Sequence, residues 1–386
     1  MKETALFFSD EITQYHLGKN HPMNGSRIQT AYELFELTGM TGTRLFSPTP
    51  AGREEVELVH DKEYVEVVRE LANQAAKGNV EGDARFGLGS SDCPIFAGMY
   101  QASLQVAGSA LQGVKLILDG EVGNAFLLMG GLHHAQPRRA SGFCYFNDMS
   151  VAIQKLRNMD YRVAYIDTDL HHGDGVQEIH YNDPGVLTLS FHESGQFLYP
   201  GTGYSNELGG KKALGTSVNL PLFPYTWDKQ YQDVMAFIPP IIEAFEPDFI
   251  VWQAGVDGHA NDPLGHLLLT TNTYTMLGRL VRHLAEKCCG GNLLVAGGGG
   301  YSPFSNARCW YAEYAALRRI SLPTKTPTEW QETFKARYST HPPEFIVDES
   351  STGQLVDRPD LVEQGNEAYR ATFVEEVGEY YDLPDV

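Results

Sequence analysis

The chain of 386 residues is long enough for one large domain or two ordinary ones, and its 42% hydrophobic and 20% charged residues are the balance of a folded globular protein. With 29 Lys and Arg against 49 Asp and Glu, the net charge of −20 repels nucleic acid and attracts cations, and no apolar run approaches the roughly 20 residues of a membrane span. The cysteines (Cys93, Cys144, Cys288, Cys289, Cys309) are odd in number and form no C-x-x-C, which argues against a disulfide framework and against a thiolate zinc site.

At the N-terminus, "MKETALFFSDEIT" has acidic residues close behind a brief apolar patch and no small-residue cleavage site, so a cytoplasmic protein is expected. Short β-rich runs then recur: "ALFF" at Ala5, "AFLLM" at Ala125, "RVAYID" at Arg162, "VLTLSF" at Val186, "FIVWQA" at Phe249 and "NLLVAG" at Asn292. Between them lie segments with helical spacing, 228–245 and 272–287 among them, where Ile241, Ile242 and Phe245 form a core-facing stripe. Strands alternating with helices predict an α/β fold, a central parallel sheet flanked by helices. No linker splits residues 1–322, which read as one catalytic domain. Beyond Leu322, four prolines and then nine acidic residues after Ser351 against Arg358 and Arg370 predict an acidic C-terminal extension over 323–386 whose end is an appended or partly mobile tail, with its role and its docking on the domain left open.

In a parallel sheet the ligand site lies beyond the carboxyl ends of the strands, and here those ends are polar. "GGLHHA" follows Met129, "DTDLHHGDG" follows Ile166, "HESG" follows Phe191, "GVDGHAND" follows Ala254 and "GGGGYS" follows Ala296. Five strand ends are expected to converge on one mouth.

Asp169 and His171 flank Leu170, and residues two apart in an extended strand end point the same way, giving half a metal site. Asp257, after another apolar strand, can supply a third ligand and leave a position open for water. Nitrogen and oxygen donors without sulfur suit Zn²⁺, with Fe²⁺, Co²⁺ or Mn²⁺ also compatible. A lone D-x-H is equally a hydrogen-bonded turn. The context is richer, because Asp167 and Asp174 share the loop and His133 and His134 follow a neighbouring run, allowing two carboxylate–imidazole pairs to act as general base and general acid. "GGGGYSP" matches neither a phosphate loop nor a dinucleotide fingerprint, and it presents Tyr301, whose phenol could bind an oxyanion. No G-x-S-x-G occurs, and "HESGQ" lacks the second histidine of H-E-x-x-H, so metal-assisted hydrolysis remains.

Together, "KNHPMNGSRI", "SSDCP", "GGLHHAQPRRASGFCYFND", "YIDTDLHHGDGVQEIHY", "LSFHESGQFLYPGTG", "QAGVDGHANDPLG" and "GGGGY" resemble, in the same order, the histone deacetylase family of metal-dependent acyl-lysine amidohydrolases with an arginase-like α/β fold. "GGLHHA" and "GGGGY" look like the class I branch and its bacterial relatives, the acetoin-utilisation deacetylases among them, where the polyamine-deacetylase branch has "PPGHHA" and "EGGY". The resemblance implies Asp169, His171 and Asp257 as zinc ligands, His133 and His134 as the catalytic pair partnered by Asp167 and Asp174, and Tyr301 as the oxyanion donor. His172 is then not a ligand. It further implies Gly142, Phe143 and Tyr199 as the walls of a tunnel for the lysine stem, Asp92 at its rim, Arg27 and Leu264 around an inner acetate pocket, and a structural K⁺ held by Asp167, Asp169, His171, Ser190 and Phe191.

Two departures stand out. Leu132 replaces a frequent aromatic residue, so a wider pocket taking longer acyl groups is expected, and Tyr199 adds a hydroxyl where phenylalanine is common. The implied substrate is an acylated lysine in a protein or peptide. An acetylpolyamine amidohydrolase, using the same chemistry on a small acetylated amine drawn to the acidic surface, is the rival reading. A binding protein without turnover and a two-metal ureohydrolase fit the residues less well.

Overall fold

The computed structural model describes residues 3–18, 20–40, 44–79, 81–349 and 352–385. Among these residues eight strands form one sheet: β1 (Thr4–Phe7), β2 (Leu45–Phe46), β3 (Asn124–Leu127), β4 (Val163–Asp167), β5 (Val186–Glu193), β6 (Ser217–Leu222), β7 (Phe249–Gln253) and β8 (Leu293–Ala296). Their order is β2-β1-β3-β8-β7-β4-β5-β6, and every pairing is parallel.

Both faces of the sheet are covered by helices, which explains why the central strands read as unbroken apolar runs. Along β7, Ile250 and Trp252 join one core while Phe249 and Val251 join the other, the two-residue alternation of a strand dividing its side chains between two layers. All six runs singled out in the sequence lie in the sheet. The edge strands were not anticipated: β2 has two residues, and β6 ("SVNLPL") carries polar residues and a proline.

The segment 228–245, expected as one helix, is two, Asp228–Met235 and Ile238–Phe245. Pro239 and Pro240 lack the N–H that would continue the first ladder, and proline is tolerated in the first turn of the second. The segment 272–287 lies within one helix, Thr271–Cys289.

The C-terminal extension, whose docking the sequence leaves open, is folded onto the domain. Helix Thr328–Tyr338 lies against helix Gly25–Leu37, where Trp330 Nε1 donates to Thr30 O at 2.9 Å and Arg337 pairs with Glu33 at 2.6 Å. Helix Pro359–Val377 lies beside β6; Phe223 N donates to Asn366 Oδ1 at 3.0 Å, and the Phe373 ring meets Phe237 at 5.1 Å. Trp330, Phe334, Ile346, Phe373 and Val377 are fully buried, anchors that a count of acidic residues hides. Among the described residues no helix is long and apolar enough to cross a membrane.

Candidate active site

The five polar strand ends belong to β3, β8, β7, β4 and β5, which are consecutive in the sheet, so the loops that follow them share one edge. Asp167 ends β4, opposite Gln253 of β7 on one side and Ser190 of β5 on the other. The next residues leave the sheet with Asp169 and His171 on a common side. The β7 end brings Asp257 to the same point, and the candidate ligand atoms of Asp169, His171 and Asp257 all lie within 4.8 Å of one another.

His171 Nδ1 is 3.4 Å from Asp169 Oδ1 and 3.1 Å from Asp257 Oδ2. Ligands at about 2.1 Å from a tetrahedral ion stand about 3.4 Å apart, so this donor set fits a small divalent metal. All three residues are buried, and burial of two carboxylates without a cation is costly. Burial and the charge of Asp169 lift the Asp257 carboxyl to about 6. Burial works against a charged His171, but its bonds to Asp169 and Asp257 outweigh it and raise the imidazole to about 10, a proton occupying the place a metal would take.

The remaining carboxylate oxygens are anchored from the backbone. Gly299 N donates to Asp169 Oδ2 at 2.8 Å and Leu170 N to Asp257 Oδ1 at 2.9 Å. A Cβ on Gly255 would sit 2.0 Å from Asp169 Oδ2 and one on Gly299 2.2 Å from Asp257 Oδ2, so these two glycines are what lets the backbone close over the acids.

His133 and His134 face the triad with ring centroids 4.0 Å apart. His133 Nδ1 is 2.8 Å from Asp167 Oδ2, and His134 Nδ1 is 2.6 Å from Asp174 Oδ1. In each ring Nε2 is therefore the nitrogen left for chemistry. Their environments push them apart. Burial lowers both, yet Asp167 and Asp169 overcome it for His133, raised to about 9, whereas burial and the charge of His133 hold His134 at about 4. Two imidazoles in opposite protonation states at neutral pH are a proton donor and a proton acceptor side by side.

Tyr301 N donates to Asp262 Oδ2 at 2.7 Å, and its ring packs edge-on to Phe143 at 5.7 Å. Burial, with Asp257 and Asp169 adding, pushes the phenol well above its ordinary value, so the hydroxyl stays a donor. Arg27 is buried beneath; its two terminal nitrogens donate to Gly300 O (2.6 Å) and Gly298 O (2.7 Å), and its guanidinium lies 5.4 Å from the Tyr301 ring centre.

Of the expected tunnel residues, Gly142 N donates to Asp92 Oδ2 at 2.8 Å, which ties the residue expected at the rim to one expected in the wall. Tyr199 is 42% exposed, its ring 5.0 Å from that of His134, and its hydroxyl bonds Ser141 Oγ. Leu132 is fully buried, and Leu264 is half-buried beside Asp262, whose Oδ1 accepts from Leu264 N.

Reasoning from sequence passed over several residues that hold this site. Asp148 accepts from Gly131 N and Leu132 N at 2.9 and 2.7 Å and thereby shapes the turn into His133. Gln253 donates to both Gly131 O and Asp169 Oδ2. A glutamine closing the apolar run "FIVWQ" was the available signal, since a buried amide needs partners.

A doubly covered parallel sheet whose consecutive strand ends gather a metal-sized donor triad, a split histidine pair and a buried phenol has the architecture of a hydrolase acting on amides. Residues 21–317 match the model of the histone deacetylase domain. The chain is 38% identical over 334 residues to the acetoin utilization protein AcuC of Bacillus subtilis (strain 168), covering 86% of each, and 36% identical over 337 residues to AcuC of Staphylococcus xylosus, covering 85% and 87%. It is similar to the crystal structure of an HDAC homolog complexed with SAHA (TM-score 0.83, 28% identity, 96% of this chain and 100% of that one) and to that of an HDAC homolog from Aquifex aeolicus (TM-score 0.81, 27%). The chain belongs to the histone deacetylase family, as an AcuC-like deacetylase.

Proposed function

We propose that this deacetylase is a zinc-dependent lysine deacylase whose substrate is an acetylated lysine side chain of a protein or peptide. The observation that carries the reading is the Asp169–His171–Asp257 triad, at tetrahedral spacing, beside two histidines each held by its own carboxylate. Nitrogen and oxygen donors favour Zn²⁺, with Fe²⁺ the alternative occupant. A divalent ion there supplies Lewis-acid polarisation of the scissile carbonyl and acidifies a water molecule.

The chain's own groups do the rest. His134, neutral at pH 7, accepts a proton from the attacking water at Nε2, and Asp174 steadies the imidazolium that forms. His133, protonated and paired with Asp167, keeps positive charge beside the developing oxyanion. The Tyr301 hydroxyl donates to the carbonyl oxygen as it gains charge. The histidine pair then returns a proton to the departing amine, and acetate and a free lysine result.

Gly142, Phe143 and Tyr199 line the stem of the substrate, an apolar chain with a polar tip, and Asp92 holds its backbone at the rim. Arg27 and Leu264 border the acyl end, and the buried aliphatic Leu132 leaves room for acyl groups longer than acetyl. On the same reading Asp167, Asp169, His171, Ser190 and Phe191 hold a structural K⁺; the direct register of Asp167 with Ser190 supports it.

The test is kcat/KM of the Zn²⁺-loaded protein for an acetyl-lysine peptide and for N-acetylputrescine in one buffer. Preference for the peptide is expected. Preference for the polyamine would replace the lysine substrate by a small acetylated amine, and activity on neither would overturn both acetyl readings and point to longer acyl groups or to a binder without turnover.

A further inference from the structure

We propose that Asp348, in the segment after helix Thr328–Tyr338, is a positioning residue for the reaction: it clasps together the two strand-end loops that carry Asp257 and Tyr301. The inference rests on the reading in which Asp257 holds the metal and Tyr301 steadies the oxyanion.

One carboxylate serves both loops. Asp348 Oδ1 accepts from Arg308 Nη1 at 2.9 Å, and Oδ2 accepts from His259 Nε2 at 3.0 Å and from Thr271 N and Oγ1 at 3.0 and 3.1 Å. Asp348 N in turn donates to Thr271 Oγ1 at 2.8 Å. The cationic partner is committed, since the Arg308 side chain is only 4% exposed and the described residues offer it no other carboxylate.

From His259 the grip passes into the turn after β7. His259 Nδ1 accepts from Asn261 N at 3.1 Å, which fixes the ring proton on Nε2, where it needs an acceptor, and Asp348 is that acceptor. His259 O accepts from Asp262 N at 2.8 Å, and Asp262 Oδ2 accepts from Tyr301 N at 2.7 Å. The turn so shaped has Asp257 at one end and the carboxylate that holds Tyr301 at the other.

From Arg308 the grip passes into the loop after β8. Arg308 Nε donates to Phe304 O at 2.7 Å, and Asn306, two residues before it, donates through Nδ2 to Gly300 O at 2.7 Å. The glycine-rich loop and the Asp257 turn follow neighbouring strands and meet directly at two hydrogen bonds, Val256 N to Gly299 O at 2.9 Å and Tyr301 N to Asp262 Oδ2 at 2.7 Å. A carboxylate bonded to His259 in the turn and to Arg308 in the helix Asn306–Arg318 that leaves the loop ties the two together and restrains one from sliding past the other, and small errors in the placing of reacting groups cost rate far more than binding. The C-terminal segment, set off by its acidity in the sequence, thereby acquires a task at the site.

The experiment compares the full-length protein with Asp348→Asn, which keeps the shape and removes the charge, and with Glu349→Gln at the exposed neighbour. Steady-state kinetics on the acetylated substrate turned over by the parent, thermal unfolding, and amide hydrogen exchange over residues 257–262 and 299–305 are read together. Asp348→Asn is expected to lower kcat about 10-fold with KM changed less than about 2-fold, to speed exchange in those two loops while β4 is unaltered, and to add less than about 3-fold to the defect of Tyr301→Phe. Glu349→Gln is expected to change none of these. Should Asp348→Asn not fold, Thr271→Val, which removes one hydroxyl of the clasp and leaves Arg308 paired, is expected to move the same readouts by a smaller factor. A lowered melting temperature with kcat and local exchange unchanged would overturn the proposal. If the parent hydrolyses no acetylated amide, the functional reading falls, and the exchange data alone decide the clasp: faster exchange confined to both loops supports it, and unchanged exchange overturns it.

Discussion

Replacing Tyr301 by phenylalanine removes one hydroxyl while everything that places the ring stays. The backbone N–H remains on Asp262 at 2.7 Å, the ring keeps its edge contact with Phe143 at 5.7 Å, and the Arg27 guanidinium remains 5.4 Å from its centre. The melting temperature should therefore move by no more than about 2 °C. Because burial holds the phenol protonated, the hydroxyl is available as a donor at every working pH, and on the proposed mechanism its loss would be felt as the oxyanion develops rather than when the substrate binds. Losing one such donor costs about 10²- to 10³-fold in kcat, about 2.7 to 4 kcal/mol of barrier, with KM within about 2-fold. The assay is acetate release from an acetyl-lysine peptide by metal-loaded protein of verified metal content. A kcat within about 3-fold of the parent would remove Tyr301 from the reaction.

Other perturbations test neighbouring parts of the argument. Zn²⁺ at about 100 times its dissociation constant should stabilise the parent by about 2.7 kcal/mol in thermal unfolding and leave Asp257→Asn nearly unchanged, whereas equal stabilisation of both would exclude Asp257 as a ligand. In Gly142→Ala the new Cβ would lie 2.2 Å from His134 Cδ2 on a backbone with φ of +50°, so kcat/KM should fall about 10²-fold; an unimpaired variant would show that His134 need not keep its place. Buried His180 has a pKa of about 4, and its Nε2 has no partner among the described residues. Its folded pKa lies below the roughly 6.5 of the unfolded chain, so the stability it allows is complete above pH 6.5 and is lost as pH falls towards 4, about 2 kcal/mol of it by pH 5. His180→Leu should shrink the difference in unfolding free energy between pH 7.5 and pH 5 by about that amount, and an identical pH dependence would refute the assignment.

Asp169 and His171 could be recognised as neighbours from sequence because alternation at a strand end is a local property of the backbone. The six central strands were equally legible, since a strand covered on both faces must be apolar throughout, while β2 and β6 at the edges have no such obligation. The break in 228–245 was legible too, in Pro239 and Pro240, but the helical spacing was read over the whole segment and its stripe, Ile241, Ile242 and Phe245, lies entirely beyond them. Whether the tail docks was not legible, for a related reason: its charge is conspicuous, and its few anchors, Trp330, Ile346 and Phe373, are spread too widely to make a periodic signal.

What the chain determines by itself is the kind of donor at each strand end, an imidazole, a carboxylate or a phenol, because those are side-chain identities on locally encoded elements. Which ends meet is decided only in three dimensions. Asp257 reaches His171 because β7 lies between β8 and β4, an order set by the crossover helices and by packing across 80 or more intervening residues. Likewise Asp348 comes to His259 and Arg308 because the C-terminal segment folds back over the domain, and no local pattern around any of the three residues records that partnership.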